Sequence, residues 1–201
     1  MRTPARTGAP VAAVLLVLAL LAGACSGDDG GDGPGAEASA TATGSAAADE
    51  PAPITTTASL GVLTGKLGRK DRARFTKAVT RVVDDWIDAA YLDGDYPRGD
   101  FRASFPHFTT GARAEALRER DLMTNQDVGR RIDGVTATRR VLHIDALVVR
   151  HRPVGATARF VLRLRTTGDL ERRIEVAGRL FLTQHHGWRI FGYDVHKGAL
   201  T

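Results

Sequence analysis

The sequence predicts an α+β domain in which N-terminal helices pack on a curved four-stranded antiparallel sheet. Three features of the 201-residue chain point there. Apolar residues recur at steps of three and four from Phe75 to Ala90, the period of an amphipathic helix. From Val135 the period falls to two, the alternation of half-buried strands. The breaks between the alternating runs, "HRPVG", "TTGD" and "HHG", are short and turn-like, so neighbouring strands run antiparallel.

The chain opens with Arg2 and Arg6, an apolar run over 11–24, and the small residues Ala22, Gly23 and Ala24 before Cys25. A basic region, an apolar region and a small-residue cleavage site, in that order, form an export signal. The run is shorter than the ~20 residues a helix needs to cross a bilayer, so 1–24 is expected to be a signal peptide. Cys25 is the one cysteine, which excludes a disulfide framework within the chain. The segment "LLAGAC" resembles the lipobox of bacterial lipoproteins at Gly23, Ala24 and Cys25, with Ala22 where the common form has a bulky aliphatic. The resemblance implies that the Cys25 thiol carries a diacylglycerol, so that membrane lipid is the first expected partner. Two acyl chains, at about 0.8 kcal/mol per buried methylene, give stable anchoring. The alternative is an ordinary secretory peptide followed by a free thiol.

Residues 26–59 are Gly, Ala, Ser, Thr and Pro with six acids and neither Lys nor Arg; Ile54 is the one large apolar residue. Such a composition buries too little apolar surface to offset ordering entropy, so 25–59 is expected to be a tether for a domain over 60–201. Arg2 and Arg6 leave 26 of the 28 basic residues, and the six tether acids leave 17 of the 23 acidic ones, to residues 60–201, about +9 with histidine neutral. In an exported chain this charge does not imply nucleic acid. It points to anionic lipid, an acidic wall polymer or an envelope protein.

Within the domain, "KDRARFTKAVTRVVDDWIDAAYLDGDYP" puts Phe75, Val79, Val82, Val83, Trp86, Ile87 and Ala90 on one helical face. Arg74, Lys77, Arg81, Asp84, Asp85 and Asp88 lie mostly away from it, and Gly94 and Pro97 stop the helix. An aromatic turn with Phe101, Phe105 and Phe108 leads to a second helix capped by Thr109 or Thr110 and supported by Glu115. Four strands follow, over about 135–150, 156–166, 171–184 and 187–196. Phe160, Leu162 and Leu164 alternate with Arg159, Val161, Arg163 and Arg165, while Ile174, Val176, Leu180 and Leu182 alternate with Arg173, Glu175, Arg179 and Thr183. One face is therefore core and the other is wet and basic.

The closing segment "GWRIFGYDVHKG", after a long helix and long strands, resembles the NTF2-like (cystatin-like α+β roll) superfamily. With "FPHFTTGARAEAL", "DLMTN" and "GATARFVL" the domain is similar to actinobacterial surface lipoproteins that carry such a roll. "DVGRRIDG" is the segment available for the small hairpin the superfamily often places between helices and sheet. The resemblance implies either a non-catalytic binding or accessory module, or an enzyme of the isomerase, dehydratase or cyclase type acting on a small lipophilic substrate. It also implies a homodimer through the sheet, which the arginine face would resist.

The candidate sites follow from these placements. Trp86, Tyr91, Phe105 and Trp188 would line a cavity between helix and sheet that takes an apolar ligand. Arg159, Arg163 and Arg165, opposite Arg173 and Arg179, would form a guanidinium ladder for an anionic partner, since the planar fork matches carboxylate and phosphate. His143 and Asp145, two apart on one strand, are the one acid/base pair, yet the apolar alternation of Leu142, Ile144, Ala146 and Val148 turns them to the wet face. The six histidines show no metal-ligand spacing, and no phosphate loop or supported nucleophile occurs. No cofactor and no metal are expected.

Overall fold

The computed structural model describes residues 54–200. The expected signal peptide (1–24), the candidate lipidation site Cys25 and the tether as far as residue 53 lie outside the described residues. What is described is an α+β domain whose sheet has five strands: β1 (Thr57–Thr64), β2 (Gly134–Val149), β3 (Arg152–Thr167), β4 (Arg173–Gln184) and β5 (Trp188–Ala199). They lie in the order β1-β2-β3-β4-β5, with β1 parallel to β2 and every other pair antiparallel.

The expected four-stranded antiparallel sheet is thus corrected to a five-stranded mixed one, and a strand precedes the helices. β1 escapes the sequence pattern for a physical reason. It is an edge strand that buries only Ala58, Leu60 and Leu63 in part, and one extra residue between Leu60 and Leu63 breaks its alternation. Its first three residues fall within the stretch expected to be tether. The bulge is pinned where the Val62 N–H donates to Asp145 Oδ1 at 2.8 Å.

α1 (Arg69–Ile87) buries Phe75, Val79, Val82, Val83, Trp86 and Ile87 against the sheet, as the helical stripe predicts. The helix widens into one π-helical turn over Asp88–Leu92, closed by the Asp93 N–H on the Asp88 carbonyl at 2.7 Å, and Gly94 then takes φ +101°. The carbonyls left over at that end are met by Arg98, whose Nη1 donates to Ala89 O at 3.1 Å and Asp93 O at 2.9 Å. α2 (Thr110–Arg118) is capped by Thr109, which accepts from the Ala112 N–H. The short α3 (Arg120–Met123) is held to β5 by Lys197, whose Nζ donates to Asp121 O at 2.7 Å, Thr124 O at 2.8 Å and Asp127 Oδ1 at 2.5 Å. Of residues 127–134, available for a small hairpin, 127–133 fold instead as turns and bends that bury Val128 and Ile132, and Gly134 opens β2.

Helix and sheet are joined by charge as well as apolar packing. Arg140, on the helix-facing side of β2, reaches Asp84 Oδ1 at 2.9 Å and Asp88 Oδ1 at 2.7 Å on α1 and leaves only 10% of its side chain exposed. Burial pushes the Asp88 carboxyl above its usual range, and Arg140 pulls it back only in part.

Candidate functional site

Trp86, Tyr91 and Phe105, three of the four expected cavity residues, are packed against other rings. Trp86 meets Tyr91 at 5.6 Å and Phe160 at 5.3 Å between centroids, both edge to face, and Phe105 meets Phe108 at 5.4 Å. The Tyr91 hydroxyl, raised well above its usual range by burial, donates to Leu122 O at 2.8 Å. The Trp86 indole N–H finds no acceptor among the described residues. Buried in this packing, the three rings are core.

The arginines of β3 and β4 share the outer face of the sheet, and strand pairing sets their register. Arg159 lies opposite Arg179, and Arg165 opposite Arg173, across β3 and β4. Three rungs carry their own counter-ions: Arg159 with Asp145 at 2.8 Å, Arg163 with Glu175 at 2.7 Å and Arg179 with Asp194 at 2.6 Å. Arg165 and Arg173 form no ion pair among the described residues, so the unneutralised part of the ladder sits at its end, beside the β3–β4 turn.

His143 and Asp145 lie on the outer face of β2. Nε2 of His143 is 3.9 Å from Asp145 Oδ1, beyond hydrogen-bond range. Ser59 Oγ shares a hydrogen bond with His143 Nδ1 at 2.9 Å, which completes a serine, histidine and aspartate set by residue type. The geometry is not that of a catalytic triad. Serine and carboxylate approach the wrong ring nitrogens for one, Asp145 is engaged by Arg159 and the Val62 N–H, and Gly61 backs so closely onto both side chains that a Cβ there would lie 2.3 Å from each.

The arrangement with chemical potential is a cleft of about 750 Å³ between α1 and the β4–β5 hairpin. Arg74, Lys77 and Arg81, spaced three and four apart, project from one flank of α1, and Arg189 faces them from β5. His107 and His186 also line it, as does Trp188, whose ring packs on Phe75 at 5.3 Å. Among the described residues no carboxylate lines the cleft. Arg74 pairs with Asp71 and Arg81 stands 3.8 Å from Asp85, whereas Lys77 and Arg189 form no ion pair among the described residues.

Both histidines of the cleft hold left-handed backbone, φ 61° at His107 and φ 49° at His186. That conformation costs a non-glycine residue about 1 kcal/mol or more and persists where surroundings impose it. At His107 they do: the Ile190 N–H donates to His107 O at 2.9 Å and the Thr109 N–H to Ile190 O at 2.8 Å, clamping the loop to β5. The ring is then held by Asp85, with Nε2 2.7 Å from Oδ2. Of the residues singled out from sequence, only Trp188 belongs to this cleft. The signal for the others was present: three cations at positions i, i+3 and i+7 share a stripe beside the apolar face. Compared with protein-family models, with curated proteins and with solved structures, the chain matches none.

Proposed function

We propose that the chain is an exported lipoprotein, anchored through diacylglycerol on Cys25, whose domain is an NTF2-like roll serving as a non-catalytic module that binds an anionic ligand or envelope partner. The anchor rests on the sequence around Cys25. The binding role rests on one observation: a cleft of about 750 Å³ with four basic side chains, a tryptophan and no lining carboxylate. The donors of Lys77 and Arg189, in no ion pair among the described residues, favour sulfonate, phosphate or carboxylate, and Trp188 with Ala78 and Val82 favours an apolar body attached to it.

Calorimetric titration with naphthalene-1-sulfonate tests this. Saturable binding is expected, weakened about tenfold by Lys77→Ser with Arg81→Ser, since a hydrogen bond to a charged group contributes about 1.5 kcal/mol or more. Binding that ignores both substitutions removes the cleft from the function.

A second reading has its own observation. The Asp85 carboxylate orients the His107 ring at the cleft wall, an arrangement that serves acid/base chemistry on a small substrate. Turnover of a bound compound that is lost in His107→Gln, while its affinity holds, would make the domain an enzyme.

A further inference from the structure

Among the described residues six large apolar side chains are exposed, and five of them, Val62, Leu147, Val149, Val154 and Phe191, collect at one end of the sheet. The topology brings them there. Antiparallel pairing puts the β2–β3 turn at Arg150–His151 and the β4–β5 turn at His185–Gly187 at the same end, and β1 runs parallel to β2 until Thr64 meets Leu147.

Three of the five are there because the register slips. Leu147 pairs with Gly155 and Val148 with Pro153, which leaves Val154 unpaired; Phe181 pairs with Gly192 and Leu182 with Ile190, which leaves Phe191 unpaired. Val62 sits in the bulge of β1. A bulge re-aims a side chain that regular alternation would place otherwise, and here it aims Val62, 65% exposed, and Phe191, 54% exposed, into solvent. Phe191 is supported from the side by Phe181, with centroids 6.4 Å apart, beside a groove of about 500 Å³.

Around this apolar end stand Lys66, Arg150, Arg152 and Arg189, all exposed and none in an ion pair among the described residues. Asp145, the carboxylate lining the groove, is already engaged by Arg159. Apolar side chains ringed by unneutralised cations match an anionic bilayer surface, where the former enter the headgroup boundary and the latter meet lipid phosphate.

We propose that this end of the sheet docks on an anionic phospholipid bilayer. The inference rests in part on the lipid anchor. Some 30 residues of Gly- and Ala-rich chain separate Cys25 from β1, and a tether of the kind expected from that composition spans roughly 30 Å, so the anchor would hold the docking end within reach of the surface. Docking is thereby an intramolecular step, which raises its effective concentration. The tether keeps the domain near the membrane, and the sheet end sets which way it faces.

The full chain as its own cells process it, added to vesicles, tests both parts separately. Phe191→Cys, Leu147→Cys and, at the far turn of the sheet, Asp169→Cys each take one environment-sensitive dye, and a Cys25 thiol left without lipid adds the same signal to all three, so the difference between positions is read. Retention by pure phosphatidylcholine vesicles reads the anchor alone. With phosphatidylglycerol included, dyes at 191 and 147 are expected to shift to the blue while the dye at 169 does not. Arg150→Ser with Arg152→Ser should reverse the shift, each charge weakening surface attraction about fivefold. Absence of the shift in a retained chain overturns docking and leaves the anchor standing. A chain that neutral vesicles do not retain but whose dyes shift with phosphatidylglycerol keeps docking and overturns the anchor. A shift that appears without vesicles as protein concentration rises would assign the face to a second copy of the chain and overturn the proposal.

Discussion

At the residue scale the most consequential side chain is Arg140, which the alternation of β2 does not single out. It sits among the core-facing residues of β2 because Asp84, Asp88 and Thr56 receive its donors at 2.9, 2.7 and 3.0 Å. Arg140→Ala would leave two carboxylates crowded on α1 without a cation, and a loss of about 2–3 kcal/mol is expected in urea unfolding. Asp88 gives the domain a pH-dependent stability. Its folded carboxyl is raised, first by burial, so its contribution to stability is complete below the unfolded value and fades as pH rises through the raised one. Asp88→Asn should flatten that part of the stability profile. Asp100 behaves in the opposite sense, because Arg102 holds its carboxyl down at about 2. Its contribution is present above pH 3.8 and is lost as the pH falls to about 2. In an NMR titration, Arg102→Ala should return the Asp100 midpoint toward 3.8.

At the scale of elements, the β4–β5 pair depends on one glycine. Gly178 has φ +151°, and a Cβ added there would lie 2.1 Å from the Asp194 carbonyl oxygen. Backbone cannot yield as a flexible side chain does, so Gly178→Ala is expected to cost about 2–4 kcal/mol. Hydrogen exchange should quicken along Trp188–Ala199 before it does along β2. The long elements of this sheet were legible in the sequence because each buries a full face: Leu142, Ile144, Ala146 and Val148 on β2, or Phe160, Leu162 and Leu164 on β3. β1 was illegible because an edge strand with a bulge needs few apolar residues and shows no steady period. The cleft was only half legible. Its α1 cations form a readable stripe, but Arg189 and His186 reach it through the turn of the β4–β5 hairpin, and His107 through a loop clamped to Ile190. No local pattern encodes those approaches. The bulges at Val154 and Phe191 are likewise set by pairing between strands, which periodicity within one strand does not report.

For the whole molecule, the excess of positive charge is distributed with a purpose that stability alone does not require. The outer face sets arginine opposite arginine at Arg159 and Arg179, then spends Asp145 and Asp194 to neutralise them. The same economy is not applied in the cleft, where Lys77 and Arg189 face each other's field unpaired. Like charges held together oppose folding, and a bound anion relieves them. Chloride and phosphate should therefore separate. Both screen the domain's self-repulsion at equal ionic strength, but only an anion that occupies the cleft adds the stabilisation of a bound ligand. At about ten times its dissociation constant phosphate would add about 1.4 kcal/mol, a rise in Tm of about 4.5 °C for a domain of this size. Thermal unfolding in matched chloride and phosphate measures the difference. Lys77→Ser with Arg189→Ser should raise Tm in chloride, because repulsion is removed, and abolish the further gain from phosphate. A phosphate gain that survives both substitutions would locate the anion elsewhere, at the Arg165 and Arg173 end of the ladder, where two guanidinium groups also lie opposite each other without counter-ions.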